Sequence, residues 1–268
     1  MHFPEPALSR LAHEAAVWVT VHAVQGSVPR EVGTAMAVFA DSVSGTIGGG
    51  RVEFDAIAQA RRRLLQPGSG AEVLRYPLGP ALGQCCGGVM HLRFEGVTSA
   101  DIPALRLRMA VARAPVAIFG GGHVGHALVE VLARLPFAVT WIDSRDGVFP
   151  PQLPAHVACE HSDPVQGAVG GLAAGSAVLV MSFSHAEDLD VVAQCLRRQR
   201  EHGDLARIGL IGSATKWATF RRRLTERGFL APELDRVRCP IGLPGIAGKE
   251  PEVIAIAVAA QLLQDRIV

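Results

Sequence analysis

Val116-Ala-Ile-Phe-Gly-Gly-Gly-His-Val-Gly125 is the stretch that decides the fold. Its four apolar residues, Val116 to Phe119, read as a short buried strand. Gly120-x-Gly122-x-x-Gly125 follows and opens a helical run from Val124 to Leu135. In that setting the first glycine permits a tight turn, the second lets backbone approach a pyrophosphate, and the third lets helix and strand pack closely. Free N–H groups and the positive end of the helix dipole then face an anion. Asp143 closes the next strand, Ala138 to Asp143, where an acid would hydrogen-bond a ribose diol. Arg145 leaves room for a ribose 2′-phosphate, so NAD and NADP both stay open. His123, inside the turn, is either a solvent-facing residue or a phosphate or substrate contact. The turn by itself also fits a fold feature that has lost its ligand.

Working outward, strands are expected at His156–Cys159, Ala177–Met181 and Arg207–Ile211, with helices over Pro164–Leu172, Asp188–Arg200 and Thr215–Arg227. This alternation predicts an α/β fold: a Rossmann-like parallel sheet over 115–268, joined by right-handed crossovers and covered on both faces. The part before it, 1–97, reads as a mixed α/β domain. Its strand candidates are Ala16–Val24, Met36–Ala40, Glu72–Tyr76 and Met90–Phe94. Its helix runs from Val52 to Leu65, with Val52, Ala56, Ala60 and Leu64 on one face. Its topology stays open. Residues 98–114, rich in Ala and Arg, read as a linker. His185 and Asp188, at the end of a strand, are the proton-relay candidates a dehydrogenase would need, or else part of a polar loop.

Of the 268 residues 49% are hydrophobic and 19% charged, which provides for buried cores and little for disordered tails. The net charge of +1 lacks the basic excess of a nucleic-acid protein. Arg61–Arg63 and Arg221–Arg223 read as solvated helix faces. Ala15–Val24 and Val253–Leu263 fall short of the roughly 20 apolar residues that span a bilayer. Met1-His-Phe-Pro-Glu-Pro has no basic n-region, so no targeting or membrane segment is expected. Five cysteines, an odd number, point to free thiols in a reducing cytoplasm.

Gly83-Gln-Cys-Cys-Gly-Gly88 is the most distinctive local feature. Glycines on both sides make Cys85 and Cys86 an exposed, flexible thiol pair. A vicinal disulfide would be strained, and the spacing is wrong for structural zinc. Soft-metal ligation, sulfur transfer and redox sensing remain, beside a plain packing role. Cys159 and Cys195 read as core, and Cys239 is ambiguous.

Taken together these segments resemble the XdhC/CoxI family, the xanthine dehydrogenase accessory proteins. The resemblance rests on Gly26-Ser-Val-Pro-Arg30 with Gly33, Gly45-Thr-Ile-Gly-Gly-Gly50 with Glu53, and the cysteine motif. It continues through Ile118 to Gly125, Gly209-Leu-Ile-Gly-Ser213 with Lys216, and Cys239-Pro-Ile-Gly-Leu243. It implies a cytoplasmic chaperone, not an enzyme of its own, that binds the molybdenum cofactor (molybdopterin). Such a protein holds the cofactor while a cysteine desulfurase supplies the terminal sulfur, then delivers it to apo-xanthine dehydrogenase or a related molybdenum enzyme.

The residues expected to hold the cofactor are Gln84, Cys85, Cys86, Gly87, Gly120, Gly122, His123, Gly125, Asp143, His185, Ser213 and Lys216, with Cys85 and Cys86 as metal ligands. Relatives often carry Thr-His-x-His where this chain has Ser182-Phe-Ser-His185, so only His185 carries over. A homodimer is expected. The competing readings are an NAD(P)-dependent oxidoreductase, which has no need of the thiol loop, and a redox-responsive nucleotide-binding regulator.

Overall fold

The computed structural model describes residues 4–66, 68, 70–78, 87–110 and 112–265. They form two compact units, Met1–Ala110 and Val111–Val268.

The first unit is built on a five-stranded antiparallel sheet. Its strands are β1 (Ala16–Gln25), β2 (Ala35–Val38), β3 (Val43–Gly45), β4 (Glu72–Pro77) and β5 (Val89–Val97), in the order β3-β2-β1-β5-β4. Central strand β1 is buried on both faces over its first half, where its residues alternate between two cores. Val17, Val19 and Val21 pack with Val52, Ala56 and Ala60 of α2 (Gly50–Leu64). Ala16 and Trp18 pack on the opposite side with Leu8 and Leu11 of α1 (Pro4–Leu11) and Leu105 of α3 (Ile102–Arg108). Within the expected linker, Thr98 and Asp101 form a capping box ahead of α3. The period of 3.6 predicted α2, and of the four residues expected on its face Val52, Ala56 and Ala60 are buried while Leu64 is half-buried.

The second unit is a six-stranded, all-parallel sheet. Its strands are β6 (Ala114–Phe119), β7 (Phe137–Asp143), β8 (Val157–His161), β9 (Ala177–Val180), β10 (Arg207–Leu210) and β11 (Val237–Arg238), in the order β11-β10-β9-β6-β7-β8. This is the strand order of a dinucleotide-binding fold, with its reversal between β6 and β9. Helices α4 (His123–Leu132) and α8 (Pro251–Asp265) cover one face. The other face carries α5 (His185–Glu201), α6 (Ala214–Glu226) and α7 (Ala231–Leu234). β6 is apolar throughout because both of its faces are covered: Ala117 and Phe119 enter one core, Val116 and Ile118 the other.

Two local expectations change. The segment read as a helix over Pro164–Leu172 is a 3₁₀ stretch, Val165–Gly171, in which three glycines weaken α-helix formation. Cys159 is exposed, since β8 is an edge strand whose residues after Val157 face solvent. Cys195 is fully buried, and burial pushes its thiol up to about 12. No helix among the described residues is long and apolar enough to cross a membrane.

The 3₁₀ stretch is held to α5 by a buried arginine. Arg198 donates to the carbonyls of Val169 (2.6 Å) and Leu172 (2.8 Å) and forms a two-pronged pair with Asp204 at 2.9 and 2.6 Å. Arg198→Met should keep the stem volume but strand these acceptors, costing about 2–4 kcal/mol. A lowered urea midpoint at unchanged m-value would show it.

Candidate functional site

Two places gather the residues singled out in the sequence, one in each unit.

In the first unit, three glycine-bearing loops meet at one end of the sheet. Glu53, in the first turn of α2, closes the second of them. Its carboxylate accepts from the Thr46 hydroxyl and from the backbone N–H groups of Ile47 (2.8 Å) and Gly49 (3.1 Å). Burial pushes this carboxyl up, but the hydrogen bonds outweigh it and hold the group below its ordinary range. The loop rests on the first: a β-carbon on Gly48 would stand 2.9 Å from Cγ of Pro29. The first loop in turn meets the root of the cysteine segment. A β-carbon on Gly88 would lie 2.4 Å from the Ser27 carbonyl oxygen and 2.5 Å from that of Gln25. Leu78 N–H donates to the Gly88 carbonyl at 2.8 Å, closing the base of the β4–β5 connection. Gly87 is exposed beside it. Gln84, Cys85 and Cys86 lie outside the described residues.

In the second unit, the glycine turn sits between β6 and α4 at the strand-order reversal. Two of its glycines are fixed by contact. A β-carbon on Gly120 would stand 2.0 Å from the Met181 carbonyl oxygen, and one on Gly125 2.1 Å from that of Gly120. Gly122 is different, because its missing β-carbon would meet nothing within 4 Å and the residue is exposed. That open space, at the first turn of α4, fits an approaching anion. His123 opens α4 and is exposed there. Beside the turn, the Ser182 hydroxyl oxygen is buried with no partner among the described residues.

The acids serve the scaffold. Asp143 is 2% exposed. Its Oδ2 accepts from Gly121 N–H at 2.5 Å and from Arg145 Nη2 at 2.9 Å. Its Oδ1 accepts from Arg145 N–H at 2.8 Å and from Nε at 2.9 Å. Four donors thus take up the carboxylate that was expected to read a ribose diol. Burial raises its pKa, but the Arg145 side chain and the N–H groups prevail and hold it below 3.8. Arg145 stacks over the exposed Phe183 ring at 4.7 Å.

Asp188, weighed above as a proton relay, is also 2% exposed; it accepts from Ser182 N–H and from the Lys216 ammonium, both at 2.7 Å. Lys216 donates in addition to the Ile211 carbonyl at 2.9 Å, and Ser213 caps α6 by accepting from Lys216 N–H. Asp188 and Lys216 therefore tie the end of β9 to the end of β10. His185, at the start of α5, is exposed and lies edge-on to Phe220. Sequence reasoning missed the Arg145–Phe183 stack, since nothing in a linear spacing pairs loops from two different strands.

The sequence profile of the XdhC Rossmann domain matches residues 116–262, and that of the XdhC and CoxI family matches 9–77. The chain belongs to the XdhC family. Over 244 residues it is 28% identical to the Escherichia coli (strain K12) protein YqeB, a match covering 90% of the chain and 41% of that relative. The chain thus spans less than half the length of the curated relative it matches. The crystal structure named as a xanthine dehydrogenase from Bacillus halodurans superposes with a TM-score of 0.76 at 19% identity, over 98% of this chain and 95% of that one. That likeness shows the fold of this XdhC chain.

Gly125→Val should prevent the helix from seating on its strand and abolish cooperative unfolding. Gly122→Val should keep stability within about 0.5 kcal/mol of the parent, as an exposed change with free space does. Circular dichroism melts separate the two. Asp143→Asn should lower stability at pH 7. A carboxyl held below 3.8 stabilises the fold above that value and loses the contribution as pH falls, so the deficit should shrink in acid titrations.

Proposed function

We propose that this XdhC protein is a cytoplasmic chaperone that binds the molybdenum cofactor, holds it while a cysteine desulfurase provides the terminal sulfur, and passes it to xanthine dehydrogenase or a related molybdenum hydroxylase. One observation carries the reading: profiles of the XdhC family match both halves of a chain that also bears an adjacent thiol pair, Cys85-Cys86, between β4 and β5. The cofactor is cargo here, a molybdenum held by dithiolene sulfurs on a pterin that carries a phosphate.

The chain's own residues fit such cargo. Thiolates are ligands for a soft metal and the only side chains able to carry transferable sulfur. The loops of Gly26–Gly33 and Gly45–Gly50 stand beside the root of that segment, with open space at Gly33 and Gly49, where a β-carbon would meet nothing within 4 Å. The exposed turn at Gly122 and His123 offers N–H donors to a phosphate. An NAD(P) oxidoreductase is less well supported, because Asp143 already has four donors and its partner Arg145 would have to leave before a ribose diol could bind.

Serine in place of either cysteine keeps the volume and removes the thiolate. At least one of Cys85→Ser and Cys86→Ser should reduce copurifying molybdenum and pterin at least tenfold. The client enzyme should then be made but poorly active, with its molybdenum site empty or lacking the terminal sulfur. Parent-like cofactor content and client activity in both single variants and the double would overturn the proposal.

A further inference from the structure

Strand β4 lies at the edge of the first sheet and leads the chain into the connection that bears Cys85 and Cys86. The direction of its backbone groups follows from one bond. Leu78 N–H donates inward to the Gly88 carbonyl at 2.8 Å, and bonding direction alternates along an antiparallel strand. Val73, Arg75 and Pro77 therefore turn their backbone groups outward. Pro77 has no N–H to leave unpaired there, as suits an edge. The N–H groups of Val73 and Arg75 and the carbonyls of all three residues have no partner among the described residues.

The side chains around this edge are cationic on both faces. Leu74 and Tyr76 pack toward the core under α2, so Val73 and Arg75 point to the opposite face, where both are exposed. In the β4–β5 register Arg75 stands opposite His91, and Val73 opposite Arg93. His91 Nδ1 and Arg93 Nε are buried with no partner among the described residues, and Arg75 has no hydrogen bond or ion pair among them. On the α2 side, Arg62 is exposed and bonds only the neutral Gln59 amide, at 2.6 and 3.2 Å. Burial pushes the Tyr76 hydroxyl up, and Arg62 stands close enough to oppose that shift. The neighbouring acids are already claimed: Glu72 by Arg63, Asp55 by Arg51, and Glu95 by both Arg93 and Arg108. One carboxylate cannot neutralise two guanidiniums, so the edge keeps surplus positive charge.

We propose that this edge docks an extended acidic segment of a partner protein, which adds a strand to the sheet beside β4. In such strand addition the unpaired edge backbone supplies affinity, and alternate side chains select the partner. Acids on the added strand would meet Arg75, His91 and Arg93 on one face and Arg62 on the other. A second copy fits poorly, because pairing β4 with its own image sets the same arginines against one another. The partner's role rests on the function proposed above: a segment docked on β4 sits where the chain enters the thiol-bearing connection, as a donor or recipient of cargo requires.

Fluorescence anisotropy of the full, cofactor-free chain with a labelled octapeptide of alternating Glu and Val tests this. The peptide should bind at low ionic strength and bind less well as salt rises. An alternating Lys and Val peptide should bind about tenfold more weakly or worse, and so should a fully N-methylated Glu and Val peptide, which keeps the charge but cannot extend a sheet. Arg75→Glu, an exposed change, should weaken binding about tenfold. Val73→Pro should also weaken it by removing an outward N–H donor. Arg75→Glu keeps the test decisive even if Val73→Pro folds poorly. No binding of the Glu and Val peptide, equal binding of its N-methylated form or of a heparin fragment, or parent-like binding by Arg75→Glu would overturn the inference. So would a parent dimer in sedimentation that Arg75→Glu dissociates, since a second copy would then hold the edge. Failure here leaves the thiol reading standing. Parent-like molybdenum and pterin content in the Cys85 and Cys86 variants, with peptide binding intact, would remove that reading and leave the docking edge.

Discussion

At the strand-order reversal, backbone meets backbone with no room for a single methyl group. Gly120 passes so close to the Met181 carbonyl, and Gly125 to the Gly120 carbonyl, that a β-carbon at either would overlap an oxygen by more than an ångström. This approach seats α4 directly over β6 and brings β9 alongside. It also fixes where the free N–H groups of the helix start. Trp141 completes the packing, donating from Nε1 to the Gly120 carbonyl at 3.0 Å while His126 and Phe149 stand edge-on to its ring. The turn is rigid by exclusion, and Gly122 and His123 are left open toward solvent.

The same unit uses buried carboxylates to hold loops at their working positions. Asp143 joins the turn after β6 to the one after β7, and Asp188 joins the end of β9 to Lys216 beyond β10. Glu53 does the equivalent work in the first unit, collecting the N–H groups of a glycine loop. In each case a charge is buried only where several donors converge on it, which is the condition under which burial stops being prohibitive. The acids are thereby turned inward. What remains for a ligand at the glycine turn is backbone N–H and exposed histidine.

Much of this architecture was legible in the sequence. Parallel strands with both faces covered leave continuous apolar runs, so β6, β9 and β10 stood out without their neighbours. The glycine spacing announced the strand–turn–helix unit because the contact that demands glycine lies within a few residues along the chain. The helix α2 followed from one apolar stripe. The antiparallel order of the first sheet was not legible, since β1 pairs with β5 across some 70 residues and alternation alone cannot choose a partner. Cys159 was misjudged for a related reason: a strand's sequence does not say that it will lie at the edge.

The sequence by itself determined the kinds of chemistry available: an adjacent thiol pair, a phosphate-type turn, acids and lysines at strand ends. Only the tertiary structure decided which of those groups are spent. Asp143, Asp188 and Lys216 look like ligand-binding residues in a linear reading, yet folding pairs Asp143 with Arg145 and Asp188 with Lys216, and each of the three also bonds backbone. Gln261, unremarked in the sequence, emerges with an amide donor that has no partner among the described residues. The physical reason is that a hydrogen bond or ion pair depends on which groups folding brings within about 3 Å, and several of these partners lie far apart along the chain.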